Sequence, residues 1–334
     1  EVIGVTMRLP IHPVGKAKGQ TCCSLKDVSD ARRVAQRLDI PFYVKDCHSE
    51  FETNVIDYFV AEYLQGRTPN PCIPCNQKLK FHFLLEWAFQ LGASHLATGH
   101  YARLIRFPDQ GRWAIRRGID PGKDQSYFLF NLTQGQLQRA LFPLGEYDKE
   151  KVRKMAEAWK LPVAEKDESQ EICFIPDNDY TSFLEKKTPR GVIREGPIID
   201  RKGKFLGCHR GLPFYTIGQR RGLGLSSKKP LYVTAILTEQ NTLVVGGEED
   251  LAKGNFFVEE VSWMALEPTE ETALKAAVQI RHRHPAAEAV LTPLAGGQVR
   301  VRFRKPQRAV TPGQAAVFYQ GDILIGGGWI GDER

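Results

Sequence analysis

No apolar run in the sequence approaches the roughly 18 residues that a membrane-spanning helix needs, so none is expected. The first residues, EVIGVTMRLP, lack both the basic start and the small-residue cleavage site of a signal peptide, and they read as a buried strand. Together these absences point to a cytosolic protein. Internal repeats and low-complexity tracts are also missing. The seven cysteines, Cys22, Cys23, Cys47, Cys72, Cys75, Cys173 and Cys208, are odd in number and form no small-scaffold framework. Permanent disulfides are therefore not expected, and catalytic or redox thiols are. The chain also begins on a strand without Met, which suggests a longer natural N-terminus.

What is present is an ordinary globular composition, 42% apolar and 25% charged over 334 residues, enough for two or three domains. The net charge of +7 favours a polyanionic partner without requiring one.

Val2–Met7 and Ile40–Val44 read as strands. Asp27–Leu38, Phe51–Leu64 (Phe51, Val55 and Phe59 on one stripe) and Asn76–Leu91 (Leu84, Ala88 and Leu91 inward) show helical spacing. Ser94–Thr98 follows as a short buried strand. Strand alternating with helix implies a parallel α/β sheet. Gly99-His100 lies just past a strand's carboxyl end, where such sheets bind ligands, although Gly99 alone reads equally as a turn residue. Arg112–Arg117 and Ser126–Phe130 carry strand-like residues around the polar loop Asp120–Gln125, in which Lys123 and Gln125 could hold phosphate or ribose. Asp148–Trp159 reads as a helix with Asp148 as N-cap and Val152, Ala156 and Trp159 inward.

From Leu231 onward, short alternating runs punctuated by Gly, Pro and Asn predict a small antiparallel barrel or sandwich. They include Tyr232–Leu237, Thr242–Val245, Phe256–Val261 and Ala276–Arg283. In Val299–Arg304, the apolar Val299, Val301 and Phe303 share one face and Arg300, Arg302 and Arg304 the other, because side chains alternate along a strand. Gln279, Arg281 and Arg283 alternate in the same way. Rows of guanidiniums suit a nucleic-acid backbone, though a solvated charged face fits the same pattern. The Gly- and Arg-rich stretch Gly203–Gly224 has a comparable composition.

The stretch Thr68–Asn76 (TPNPCIPCN) places two thiols three residues apart at the start of a helix. There the helix dipole favours thiolate and hence a nucleophile; half a zinc site is the rival reading. Cys173, between apolar residues, looks by local context more like an inert core thiol.

Taken with ATGHY (97–101), GKDQSYFL (122–129), SQEICFI (169–175), TIGQRRGLG (216–224) and VTPGQAAVFY (310–319), TPNPCIPCN gives the chain a resemblance to the tRNA-specific 2-thiouridylase family over essentially its whole length. The resemblance implies an α/β-plus-β fold. Residues 1–140 would form a nucleotide-binding domain of the PP-loop, adenine nucleotide alpha hydrolase-like type. Residues 141–215 would form a small central domain carrying the persulfide cysteine, and residues 216–334 a C-terminal antiparallel β-barrel. The implied activity is ATP- and Mg²⁺-dependent adenylation of the C2 oxygen of the wobble uridine, followed by sulfur transfer from a cysteine persulfide. Its partners would be tRNA and a sulfur donor, either a cysteine desulfurase or a sulfur-relay protein.

By the same resemblance, Cys173 bears the persulfide and Cys75 is its partner thiol, the two forming a transient disulfide. Met7 and Gly99 match nucleotide contacts. Asn70, Pro71 and Cys72 match contacts to the target base, while His100, Lys123, Asp124, Gln125, Arg281, His282 and Gln314 match tRNA contacts. No metal site is implied, and no second CxxC or close His pair would complete a zinc site. The sequence departs from the family twice. Cys72 stands where some members carry an acidic residue, and the family's Ser-Gly-Gly-Val-Asp-Ser-Ser phosphate loop is not in these 334 residues. The second departure keeps an alternative open, a tRNA-binding remnant with impaired catalysis.

Overall fold

In the computed structural model, two short strands near the N-terminus, Gly4–Arg8 and Phe42–Asp46, pair in parallel across the helix Leu25–Arg37. The structure describes residues 1–10, 25–107, 109, 111–166, 172–175, 178–270 and 272–332. Cys22, Cys23 and the acidic run 167–171 before Cys173 lie outside the described residues. A second parallel pair joins Leu96–Ala97 to Ala140–Leu141. The expected strand–helix alternation is therefore present, as two parallel pairs.

The helical stripes bury as their spacing requires: Phe51, Val55 and Phe59 are at most 1% exposed, and Leu84 and Ala88 are buried. Cys72–Pro74, Cys75–Leu84 and Leu85–Gln90 run end to end, the middle stretch wound as a π-helix. The wider turn brings Asn76, Leu79, Phe81 and Leu84 all to the buried side. Asp148 caps its helix as expected, accepting a hydrogen bond from the Lys151 N–H at 2.7 Å. That helix, Lys149–Ala158, buries none of its residues, and Trp159 is 57% exposed rather than inward. Trp159 is the C-cap, past the last helical turn that would have set its direction.

Three other expectations are corrected. Ser126–Leu129 is a turn of 3₁₀ helix rather than a strand. The Ser126 N–H and hydroxyl both donate to the Asp124 carboxylate, at 3.1 and 2.9 Å, and this tightens the chain. Arg112–Arg117 is a strand as expected, and what the sequence left open is its pairing, antiparallel with Ala102–Phe107 and beside the C-terminal strand Ile323–Ile330. Tyr232–Leu237 and Thr242–Gly246 belong to a separate four-stranded sheet with Gly196–Asp200 and Phe205–His209, not to the C-terminal barrel. Val233, Leu243 and Val245 are fully buried beside Ile198, Phe183 and Phe214. Alternation announces a buried face but not which sheet will cover it. Finally, the strand Leu274–Gln279 ends before Arg281: Gln279 is buried, and Arg283 has φ +66°, so residues 279–283 form no arginine-bearing face.

The C-terminal unit is a closed antiparallel barrel. Its order is Ala252–Trp263, Gln298–Arg308, Ala287–Leu294, Leu274–Gln279, Ala315–Gln320 and Ile323–Ile330, which returns to Ala252–Trp263. In Gln298–Arg308 the period-2 pattern is realised: Val299, Val301 and Phe303 are buried, and Arg300, Arg302 and Arg304 are exposed.

All three units meet at Thr68. Its N–H donates to the Pro312 carbonyl (2.9 Å), its carbonyl accepts from Gln314 Nε2 (2.7 Å), and its hydroxyl bonds the Thr216 hydroxyl (3.1 Å). Arg67 adds an ion pair to Asp332 at 2.6 Å. Gly313 makes this approach possible: its φ is +83°, and a Cβ there would lie 2.8 Å from Arg67 Cβ and 3.0 Å from the Thr68 nitrogen. We predict that Gly313→Ala lowers stability by at least about 1–3 kcal/mol, the cost of a strained left-handed residue, measured by the denaturant midpoint at unchanged slope.

Candidate active site

Asn70 and Pro71 shape the entry to the cysteine helix. Asn70 Oδ1 accepts the Cys72 N–H at 3.2 Å, and the Cys75 N–H bonds the Pro71 carbonyl at 3.2 Å. Cys72 is exposed and Cys75 half-buried. Cys173 is also half-buried, and it packs with Cys75 against one apolar cluster built around Phe59, Leu79, Phe174 and Phe183. Residues separated by about a hundred positions are thus brought to the same body of core. Phe174 stands edge-on to both Phe51 and Phe59, at 5.6 and 5.3 Å, which anchors the chain just after Cys173.

A third thiol lies in that cluster. Cys47 is fully buried, and burial, with the Glu50 carboxylate second, pushes its thiol up to about 12. It is protonated at neutral pH and so is a poor nucleophile.

Next to the cysteine helix a cavity of about 890 Å³ runs along the stretches 1–7 and 91–100, from Glu1 to Met7 on one side and up to Gly99 and His100 on the other, with Lys80 and Gln125 also in its lining. Its end at Gly99 and His100 lies past the carboxyl end of Leu96–Ala97, the side of an open α/β sheet that binds ligands. Gly99 is not in a left-handed conformation, and a Cβ there would meet only Leu144, at 3.7 Å. The fold itself does not require glycine at 99, whereas close approach of a ligand to the backbone would. The bare backbone at Gly99 leaves room for a ligand to approach the chain.

His100 is buried in the cavity wall. Its Nδ1 lies 2.7 Å from Thr98 Oγ1 and its Nε2 3.5 Å from Lys80 Nζ, with Phe81 and Phe142 against the ring. An ammonium only donates, so Nε2 is the acceptor and Nδ1–H donates to Thr98. Desolvation first, and the Lys80 charge second, hold His100 well below its ordinary 6.5. Lys80 itself was not singled out from the sequence, although its (i, i+4) spacing from Asn76 was visible there; Nζ donates to Asn76 Oδ1 at 2.9 Å.

The remaining expected positions fall into two groups. Gln125 joins the cavity, exchanging hydrogen bonds with the Tyr101 backbone. Asp124 is turned inward: it pairs with Arg117 at 2.7 Å and accepts from Gly118 and Ser126, so its carboxylate positions the loop that carries Lys123. Arg281 and His282 lie across from the 126–129 turn, with His282 on the Phe128 ring at 4.5 Å. Burial, with Arg283 second, keeps His282 below its ordinary value. The Arg281 guanidinium reaches the Arg308 carbonyl at 3.1 Å. The side-chain N–H of Gln314 is engaged at Thr68, as described above.

The fold and cavity define a HUP-type nucleotide-binding unit followed by two β units. The tRNA methyl transferase HUP domain family matches residues 1–177, the tRNA methyl transferase PRC-barrel domain family 181–247 and the aminomethyltransferase β-barrel domain family 253–330. Among curated proteins, the tRNA-specific 2-thiouridylase MnmA of Geobacter metallireducens is 52% identical over 99% of this chain and 90% of its own length. That of Moorella thermoacetica is 50% identical over 99% and 92%. The chain belongs to the tRNA-specific 2-thiouridylase family of enzymes.

A histidine held neutral by burial carries a pH signature. In the window between the folded pKa of His100 and about 6.5, the unfolded chain binds a proton that the folded chain does not. Stability therefore rises with pH through that window and is lost as pH falls below about 6.5. The stability difference between the wild type and His100→Gln should shrink on acidification from pH 7.5 to 5.5 in urea titrations. A constant difference would mean that His100 titrates normally.

Proposed function

We propose that this protein thiolates the C2 position of the wobble uridine of tRNA, with Cys173 carrying the persulfide and Cys75 acting as its partner thiol. The observation that carries the proposal is that Cys75 and Cys173 pack on one apolar cluster, while the helix beginning at Cys75 runs directly into the wall of the Met7–Gly99–His100 cavity. The family membership and the names of the relatives support tRNA thiolation as the overall activity.

ATP, bound against Met7 and Gly99, supplies the adenylyl group that converts the uracil C2 oxygen into a leaving group. Among the described residues no cluster of three or more His, Cys, Asp and Glu is placed to hold a metal. Magnesium would then be held largely by phosphate oxygens and water, its usual manner with nucleotides. Asn70, Pro71 and the exposed Cys72 form the turn that would receive the flipped base, since C2 is inaccessible within a stack. The terminal persulfide sulfur bonds to C2 as AMP departs with the C–O electron pair. The Cys75 thiolate then attacks Cys173 Sγ, and the electrons of the Cys173–sulfur bond pass to the new 2-thio group. A Cys75–Cys173 disulfide remains, and a thiol reductant must restore it. Cys72 has no assigned proton-transfer role. The sulfur reaches Cys173 from a cysteine desulfurase or a relay protein. The alternative, a tRNA-binding remnant with impaired catalysis, rests on the phosphate loop missing from these 334 residues and is not favoured by the relatives' names.

Full-length protein supplied with ATP, magnesium, a sulfur donor and tRNA should form 2-thiouridine. Cys75→Ser and Cys173→Ser should each abolish the product, whereas Cys47→Ser, replacing a thiol too weakly acidic to act, should retain it. Nucleoside analysis of digested tRNA distinguishes these outcomes, and thiolation by either of the first two variants would refute the cysteine roles.

The exposed Arg300 and Arg302, with Arg304 beside them in an ion pair to Glu288 at 2.7 Å, form a docking face for the tRNA backbone, because guanidiniums at strand spacing can engage successive phosphates. Replacing Arg300 and Arg302 with Ala should weaken binding and lower the slope of log affinity against log salt by about one for each phosphate no longer engaged. An unchanged slope would leave the row a solvated face.

A further inference from the structure

Lys80 projects into the nucleotide cavity from the same helical run that begins with the catalytic thiol. Its ammonium is fixed from two sides, donating to Asn76 Oδ1 at 2.9 Å and facing His100 Nε2 at 3.5 Å. Both partners are themselves held. Asn76 Nδ2 donates to the Phe128 carbonyl at 3.2 Å, and His100 is locked by Thr98 and by the aromatic rings around it. An ammonium has three donors, and two of them are directed at these neutral partners.

Among the described residues no carboxylate forms an ion pair with Lys80. A half-buried lysine is ordinarily paired with an anion, since burying a lone charge is costly. Here both protein partners are uncharged, and the neutrality of His100 is enforced by its surroundings. The ammonium's own contacts therefore leave one positive charge uncompensated, preorganised and facing a cavity that Glu1 also lines, at the other end of the stretch 1–7. Its complement is an anionic group of the ligand. The position narrows the choice of group, because Lys80 stands beside His100, in the same cavity lining as Gly99, and on the helical run that starts at Cys75. The phosphate nearest the nucleoside is the one that must reach this position, because the uridine oxygen has to meet it there.

We propose that Lys80 is a catalytic residue that grips the α-phosphoryl oxygens of the bound nucleotide; the assignment rests on the thiolation reading above. In the step it serves, the uracil C2 oxygen bonds to the α-phosphorus and the bond from that phosphorus to pyrophosphate breaks. Pyrophosphate leaves with the electron pair, and the N3 proton passes to water. Negative charge redistributes over the α-phosphoryl oxygens, and a fixed ammonium stabilises it without reorganising. Asn76 and His100 are positioning residues for that ammonium, and neutral His100 also avoids a second, repelling cation beside it.

The test compares AMP with adenosine, two probes that differ only in the α-phosphate. Calorimetry on the full-length protein should show AMP binding tighter than adenosine. In Lys80→Gln that gap should narrow about tenfold or more, the weight of a charge-assisted hydrogen bond, while adenosine affinity stays constant. Lys80→Arg should keep part of the gap. Pyrophosphate release dependent on tRNA should fall by about 10²–10³-fold in Lys80→Gln with tRNA affinity unchanged. An unchanged gap between AMP and adenosine would overturn the assignment. An equal loss for both probes would also overturn it, by making Lys80 a structural residue. A wild-type protein that binds neither probe would instead refute the nucleotide reading itself, and Lys80's role with it.

Discussion

The hydrogen bonds around Thr68 are the constraint on which the arrangement depends. One residue bonds the barrel through its own backbone, at Pro312 and Gln314, and the middle unit through its hydroxyl, at Thr216. Each bond alone contributes modestly to stability. Their joint effect is geometric, because Thr68 immediately precedes the Pro69–Asn76 turn, so the entry angle of the cysteine helix is set by both neighbouring units. A shift of the barrel or of the middle sheet would be transmitted to Cys75 through a short, proline-stiffened stretch and no flexible linker. The absence of a side chain at Gly313 is what allows the barrel loop to come this close.

A second constraint is the winding of Cys75–Leu84. A π-helical stretch advances less per turn than an α-helix and directs more residues to one side. Asn76, Leu79, Phe81 and Leu84 can then be buried while Cys75 meets the apolar cluster and Lys80 the cavity. Thiol chemistry and nucleotide chemistry demand opposite surroundings, one dry and apolar, the other charged. On the proposed function, one helix would serve both by changing its environment along its length. Cys47 shows what the dry side does to a thiol that is buried completely: it is pushed toward protonation and removed from the chemistry.

Much of this was legible in the sequence. The stripes Phe51–Val55–Phe59 and Leu84–Ala88, the cap at Asp148 and the alternation of Val299–Arg304 all follow from local periodicity, which a fold preserves because burial of one face enforces it. The failures share a cause. Ser126–Phe130 looked like a strand because Tyr and Phe suit strands, but Asp124 offered the backbone nearer partners. Tyr232–Leu237 and Thr242–Gly246 looked like barrel strands because nothing local identifies the sheet that an apolar face will meet. Arg281 looked like part of an outward row because alternation was extended past the end of its strand. Lys80 passed unnoticed because a lysine on a helix is ordinary until its surroundings lack a carboxylate.

The sequence by itself determined the family, most of the element types and the faces that must be buried, since all of these are carried by residue identity at short spacing. Only the tertiary structure decided which strands share a sheet, that the side chains of Asp124 and Gln314 are bonded to Arg117 and Thr68, and that a neutral histidine and an asparagine hold the Lys80 ammonium in the cavity wall. Those properties depend on the distance between residues far apart in the chain and on the desolvation that follows from it, neither of which is a property of any short stretch.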